Sequence, residues 1–325
     1  MHDRYVRVCC VQLSPVFKDV EASIASADAL ANGLEPGALD VLVMPEMAFP
    51  GYCFESRGDV APFVEDPEKG RSAQWARKTA KRLGCYVFVG APTFSSTASA
   101  ASAPLDEPQP HYNSLLVMSP CGDLLHVYHK NHLYETDETW ATEGPSFATF
   151  DLPFPPSSPF HFTSPSSPVS ASSPANQATF RVAPAICMDL NPYRFKAPFD
   201  AFEFGTFAAQ EKVDLVIASC AWLDSEPPLV SDDDATAEDG EKGAWGDVMS
   251  TLSYWATRLE PLLGSEAGFV CSNRVGREGE TVFTGSSCVM RLGASPAVLA
   301  YAGKRREKLV VARLALPQLS SAEAS

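Results

Sequence analysis

Three side chains suited to amide chemistry lie far apart in the chain, each where a strand-like run ends. Ala185-Ile186-Cys187-Met188-Asp189 closes an apolar run with a thiol, and helix-forming residues resume a few positions later. A strand-to-helix elbow of this kind exposes a nucleophile, turns the backbone N–H of Met188 toward a developing oxyanion and lets helix-end dipoles lower the thiol pKa. Free cysteine more often simply fills cores, so the stretch taken alone favours a buried structural thiol. Val41-Leu42-Val43-Met44-Pro45-Glu46 sets a carboxylate just past a buried strand, the usual place for an α/β site. Burial there would raise the pKa of Glu46, making it a base for the thiol first and an acid for a leaving amine later; in isolation it also reads as a solvated loop glutamate. The run Leu124 to Leu133 delivers Lys130 to a strand end. A fixed ammonium stabilises an oxyanion strongly where water is scarce, although a lone lysine there also suits an edge strand guarding against aggregation.

His126, His129 and His132 are spaced three apart, which on a helix would suggest a metal face. Their neighbours alternate as in a strand, so His126 and His132 point one way and His129 the other, and no metal site is expected.

The elements around these residues alternate. A strand over Val6–Leu13 is followed by a helix over Asp19–Leu34 and a strand over Val41–Met44. A helix from about Glu68 to Leu83 closes on Gly84 and leads into a strand Tyr86–Ala91. Tyr112–Met118 and Leu124–His129 form a hairpin pattern. The second half gives a strand Thr179–Ala185, a helical stretch from about Pro198 to Val213, and strands Leu215–Ala218, Phe269–Asn273, Thr281–Arg291 and Lys308–Leu314. This order implies an α/β fold. The whole of 1–325 reads as one domain with surface insertions near 95–110, 153–178 and 225–243, which are rich in Ser, Pro, Ala or acid. No solenoid-length repeat is visible.

The chain has 325 residues, enough to bury about three quarters of its unfolded surface. It carries 25 basic and 40 acidic residues, a formal charge of −15 and a pI near 4.8, which disfavours nucleic acid and anionic membrane surfaces as partners. No secretory-type leader and no membrane-length apolar run is present, and the nine cysteines are odd in number without a C-x-x-C pair. A cytoplasmic protein with reduced thiols is expected.

Taken jointly, Glu46, Lys130 and Cys187 in that order, each at a strand end, resemble the carbon–nitrogen hydrolase (nitrilase) superfamily. The likeness runs from Val6–Leu13 through Pro45-Glu46, Lys130-x-His132-Leu133 and Ile186-Cys187-Met188-Asp189 to Cys271-Ser272-Asn273-Arg274-Val275-Gly276 and Gly285-Ser286-Ser287. Ile186–Tyr193, Ala197–Phe204 and Ala221-Trp222-Leu223 are similar to the fungal branch that deamidates N-terminal Asn or Gln. The chain departs from general amidases of the superfamily in lacking an Arg-x-Pro-Glu type sequence soon after the cysteine, and His129 stands where many members have arginine.

The resemblance implies a four-layer α-β-β-α sandwich and a cysteine amidase without cofactor. It further implies that a second glutamate orients the lysine; Glu138, with Glu135 as runner-up, is the best match. The expected substrates are peptide or protein N-termini bearing Asn or Gln, converted to Asp or Glu and so fed to N-degron degradation. Oligomeric state is left open. For the α-ammonium of such a substrate Asp189 is the first candidate, with a structural cap as the other reading. Trp222 and Tyr52 are candidate pocket walls, and Ser231-Asp232-Asp233-Asp234 could steer cationic N-termini. Two other readings stay open: a small-molecule amidase, carbamoylase or nitrilase using the same residues, and a catalytically silent scaffold.

Overall fold

Side-chain alternation decides the architecture. In β1 (Tyr5–Gln12) Val6, Val8 and Cys10 join one hydrophobic cluster while Cys9 and Val11 join another, the period of two imposed by a pleated strand. A strand apolar on both faces needs a covering layer on each side. The computed structural model, which describes residues 4–94, 109–161, 177–225 and 241–317, supplies both layers.

One six-stranded sheet has the order β14 (Lys308–Ala315), β1, β2 (Val41–Val43), β3 (Tyr86–Phe94), β4 (His111–Met118), β5 (Leu124–His129). The other runs β13 (Ala297–Tyr301), β12 (Cys288–Arg291), β9 (Gly268–Asn273), β8 (Leu215–Cys220), β7 (Thr179–Ile186), β6 (Phe150–Pro153). Val8, Val43, Phe88 and Leu115 of the first sheet share a core with Val182, Val216 and Val270 of the second. Outside, α1 (Val20–Ala31) and α3 (Arg71–Leu83) cover the first sheet through Ala27, Ala73 and Ala76, while α5 (Glu203–Gln210) and α6 (Glu241–Arg258) cover the second through Phe204, Ala208, Leu252 and Trp255. The result is the four-layer α-β-β-α sandwich.

Within the sheets, β1–β2–β3 are parallel and so are β7–β8–β9, so their C-terminal ends gather along one rim. Two serine hydroxyls stitch the sheets together there: Ser219 Oγ donates to the Met44 carbonyl at 2.9 Å and Ser272 Oγ to the Val11 carbonyl at 2.9 Å. Two short helices, α2 (Arg57–Val60) and α4 (Glu135–Glu138), lie in the connections after β2 and β5.

Some elements differ from the sequence reading. The run Thr281–Arg291 is not one strand: β11 (Thr281–Val282) pairs with β10 (Arg277–Glu278), and β12 starts only at Cys288. The break occurs because Gly285 and Ser286 adopt left-handed φ of 55° and 60°, and the Gly285 carbonyl and Ser287 hydroxyl bond to Asn273. The helical stretch after Pro198 is a 3-10 turn, Phe199–Ala201, followed by a shorter helix. The segment from 153 does not begin as a surface insertion, since Phe154 is buried and packs at a tilt against Phe160 and Phe180. At 241–243 the chain is already in α6. Most of the remaining insertion residues, including the acidic run at 231–234, lie outside the described residues. Among those described, no helix is long and apolar enough to cross a membrane.

Glu46 owes its place to a close backbone approach. A Cβ on Gly90 of β3 would sit 2.6 Å from the Pro45 carbonyl oxygen and 2.7 Å from both Glu46 Cα and Met47 N. Rigid backbone on both sides cannot yield cheaply, so Gly90→Ala should cost about 1–3 kcal/mol in urea unfolding. Gly33→Ala meets nothing within 4 Å and should stay within about 0.5 kcal/mol of the parent; equal midpoints for the two variants would refute the crowding argument.

Candidate active site

Lys130 follows β5 and its side chain is wholly buried. Its Nζ donates to Glu46 Oε1 at 2.7 Å and to Asp137 Oδ2 at 2.5 Å, and it lies 5.6 Å above the Tyr52 ring. Asn113 of β4 bridges the same two carboxylates, Nδ2 donating to Glu46 Oε1 at 2.7 Å and to Asp137 Oδ1 at 2.9 Å. Tyr52 donates its hydroxyl and Tyr134 its backbone N–H to Asp137 Oδ2. The second oxygen of Glu46 accepts from Ala221 N at 2.7 Å, one residue past β8. The cluster thus spans both sheets.

Electrostatics follow from that packing. Burial works against the Lys130 ammonium, but Asp137 and Glu46 more than offset it and hold its pKa above the ordinary lysine value. Glu46 is pushed above the ordinary carboxylate range, first by burial and then by the charge of Asp137, with Lys130 opposing. Its environment suits a group that must take up a proton and return it.

Cys187 continues β7 directly. Ile186 pairs with Ser219 in parallel register, so the thiol falls beside Cys220. Its φ of 41° lies in the left-handed region, a strain of about 1–3 kcal/mol for a residue with a Cβ, kept only where the surroundings enforce it. The elbow opens into a four-residue 3-10 turn, Cys187–Leu190, rather than a long helix. Here the sequence reading needs correction: burial, followed by the Cys220 contact, pushes the Cys187 pKa well above the ordinary thiol value, so the resting group is a thiol.

Asp189 is what enforces the elbow. Its Oδ2 accepts from Ile186 N and Tyr128 Oη, and its Oδ1 from Asn131 N and His132 N, all within 2.8–3.0 Å. This carboxylate therefore ties the Cys187 turn to the residues after Lys130 and is not available to a substrate ammonium, a second correction. Glu138 is a third. It turns outward and pairs with Arg194, and the acid on the lysine is its neighbour Asp137. Asp137 is third in α4 and reaches back to the N–H of Tyr134, the residue that caps the helix, a local pattern that singles it out among the four residues Glu135–Glu138.

The histidines have packing roles. His126 stacks on Phe150 at 4.1 Å, His129 stacks on Tyr112 at 4.0 Å with Nδ1 on the Ser114 hydroxyl, and His132 packs against Phe147 and Tyr193. Burial lowers the His129 pKa to about 4, so it offers no cation in place of an arginine. Among the described residues no group of three or more His, Cys, Asp or Glu is arranged to hold a metal ion.

A cavity of about 450 Å³ lies against Cys187, of a size suited to one small ligand or side chain. Cys187, Met188, Tyr52 and Trp222 all line it, together with Asp224 and Thr284, which the sequence did not single out.

Fold and site define a class, and residues 7–192 match the family Carbon-nitrogen hydrolase; the chain belongs to that family. It is similar to the Protein N-terminal amidase of Schizosaccharomyces pombe (strain 972 / ATCC 24843), with 32% identity over 307 residues that cover 89% of this chain and 92% of that protein. The fold is shared with solved N-terminal amidase structures. One holds a Gln-Gly peptide (TM-score 0.72, 22% identity, 97% of this chain and 99% of the other) and one an Asn-Glu-Ala peptide (TM-score 0.71, 23% identity, the same coverage).

Removing one acid from the lysine should be severe. Asp137→Asn deprives a buried ammonium of one counter-charge and should cost about 3–5 kcal/mol of stability. Glu138→Gln, on the exposed Arg194 pair, should change stability by less than about 0.5 kcal/mol. Urea unfolding of the two variants side by side checks the assignment, which fails if Glu138→Gln is the damaging change.

Proposed function

We propose that the chain is a protein N-terminal amidase, hydrolysing the side-chain amide of an N-terminal Asn or Gln to the acid and ammonia through a thioester on Cys187. The observation that carries this reading is a cavity lined by Cys187, which feels the charges of the Glu46–Lys130 pair, in a chain similar to a named N-terminal amidase along 92% of that protein's length.

In the first step Glu46 takes the proton of Cys187 as sulfur attacks the amide carbon. Charge moves to the former carbonyl oxygen, where Lys130 Nζ and the backbone N–H of Met188 stabilise it. Glu46 returns the proton to the departing nitrogen, the C–N bond breaks and ammonia leaves. Water then gives a proton to Glu46 and attacks the thioester, the C–S bond breaks, and Glu46 reprotonates the sulfur. Each proton passes through one carboxylate, which is why a raised pKa there is useful. Nine free thiols and a large acidic excess fit a reducing, cytoplasmic setting, where polypeptides with exposed Asn or Gln would feed N-degron degradation.

Three outcomes test the proposal. Cys187→Ala should abolish ammonia release with an unchanged unfolding midpoint; turnover that survives removes the thioester. Asn-Gly and Gln-Gly should be hydrolysed and Gly-Asn ignored, whereas comparable rates on all three, or on free acetamide-type amides, would favour a small-molecule amidase. In a pH profile, Glu46 must start as carboxylate, so kcat/KM should rise with pH through its folded pKa. Because that pKa is raised, the acid limb should lie above the ordinary glutamate value of 4.5; a limb at or below that value would argue against Glu46 as the base.

A further inference from the structure

An N-terminal amide differs from an internal one by its α-ammonium, so an enzyme of the proposed kind must read that charge. Asp189 is fully engaged by the elbow. Among the described residues lining the cavity, Asp224 is the one carboxylate. Resting on the N-terminal amidase reading, we infer that Asp224 and Thr284 form the receptor for the substrate's α-ammonium.

Their placement follows from a short piece of pairing at the cavity wall. After β8 the chain continues extended: Asp224 N donates to the Val282 carbonyl at 2.8 Å, Thr284 N to the Trp222 carbonyl at 2.9 Å, and Leu223 bridges Phe283 antiparallel. Alternation along such a pair sends Trp222, Asp224 and Thr284 to the same side, and all three line the cavity. Asp224 is three residues beyond Ala221, whose N–H holds Glu46, so chain reach alone keeps it within roughly 11 Å of the catalytic cluster.

The chemistry of the two groups is complementary to an ammonium. Asp224 is held in place by Lys304 at 3.1 Å on Oδ1 and by Arg305 at 2.9 Å on Oδ2, so it is already a carboxylate that accepts from cations. Thr284 is 1% exposed and its hydroxyl is buried without a hydrogen-bond partner, a costly condition for a polar group that a ligand donor relieves. An α-ammonium has three donors, and a charge-assisted bond to Asp224 with a second bond to Thr284 leaves one for a substrate or backbone acceptor. Lys304 lines the same cavity and is the cation that yields: the substrate ammonium replaces its Nζ on Oδ1, so the charge around Asp224 does not rise on binding. An N-acylated or internal residue has no cation to offer in exchange.

The test compares ammonia release from Asn-Gly with that from succinamoyl-glycine, the same molecule without its α-amino group. The wild type should prefer Asn-Gly strongly, and its kcat/KM for Asn-Gly should fall as pH rises through the peptide's α-amino pKa, about 7.7–8.0. Asp224→Asn should lower kcat/KM for Asn-Gly about 100-fold and bring the ratio of the two substrates to about one, and it should remove that alkaline limb. Thr284→Val, a nearly isosteric change, should narrow the ratio about 10-fold without moving the unfolding midpoint. Lys304→Met should keep the preference and lower KM for Asn-Gly. An unchanged ratio in both Asp224→Asn and Thr284→Val, or an equal fall on both substrates, overturns the receptor while leaving the N-terminal reading intact. A wild type that does not distinguish the two substrates overturns that reading itself, and the receptor with it.

Discussion

Lys130 keeps its charge in a place without water, and the two carboxylates that make this possible shape the rest of the site. Taking an ammonium out of water costs several kcal/mol even after relaxation, while one ion pair at 4 Å returns only about 4 kcal/mol at an effective dielectric constant of 20. Two acids at 2.7 and 2.5 Å tip that balance toward the charged lysine. The same burial raises the affinity of Glu46 for a proton, with Lys130 opposing the rise and the charge of Asp137 adding to it. A permanent cation and a carboxylate that accepts a proton readily are thus consequences of the same arrangement. Tyr52, Asn113 and Tyr134 serve it by saturating Asp137, so that the acid stays on the lysine.

Cys187, the proposed nucleophile, is held by different means. Cys187 sits in a backbone conformation that a residue with a side chain resists, and Asp189 opposes the relaxation by gathering four donors from three segments. Because two of those donors belong to the residues just after Lys130, the same carboxylate sets the spacing between nucleophile and cation. The sheets are fixed in register at this rim by Ser219 and Ser272, and Ala221 joins Glu46 across the gap. A buried polar network of this kind adds little net stability, but it permits a single geometry.

Strong, local signals were legible before any coordinates. β1, β2, β3 and the β4–β5 hairpin follow from alternation and turn residues, and α3 ends at Gly84, whose φ of 68° is the left-handed cap expected there. The elements that escaped had their signal diluted. α6 carries Val248, Leu252 and Trp255 on a helical spacing and all three are buried, but it follows directly on an acidic stretch that reads as loop. β13 is largely half-exposed and short, so it lacks the apolar contrast that marks a strand.

At the site, residue type and strand-end position in the sequence were enough to single out Glu46, Lys130 and Cys187, because each chemistry requires one kind of side chain and α/β folds present such groups where strands finish. Spacing along the chain could not choose between Asp137 and Glu138, since one step round a short helix turns a side chain from the buried lysine to solvent. Nor could it show that Asp189 spends all its acceptors on backbone, or that Asp224 and Thr284 meet across a pairing of segments 60 residues apart (284 − 224). Those are matters of which groups become neighbours when two sheets close on one another, and only the folded chain decides them.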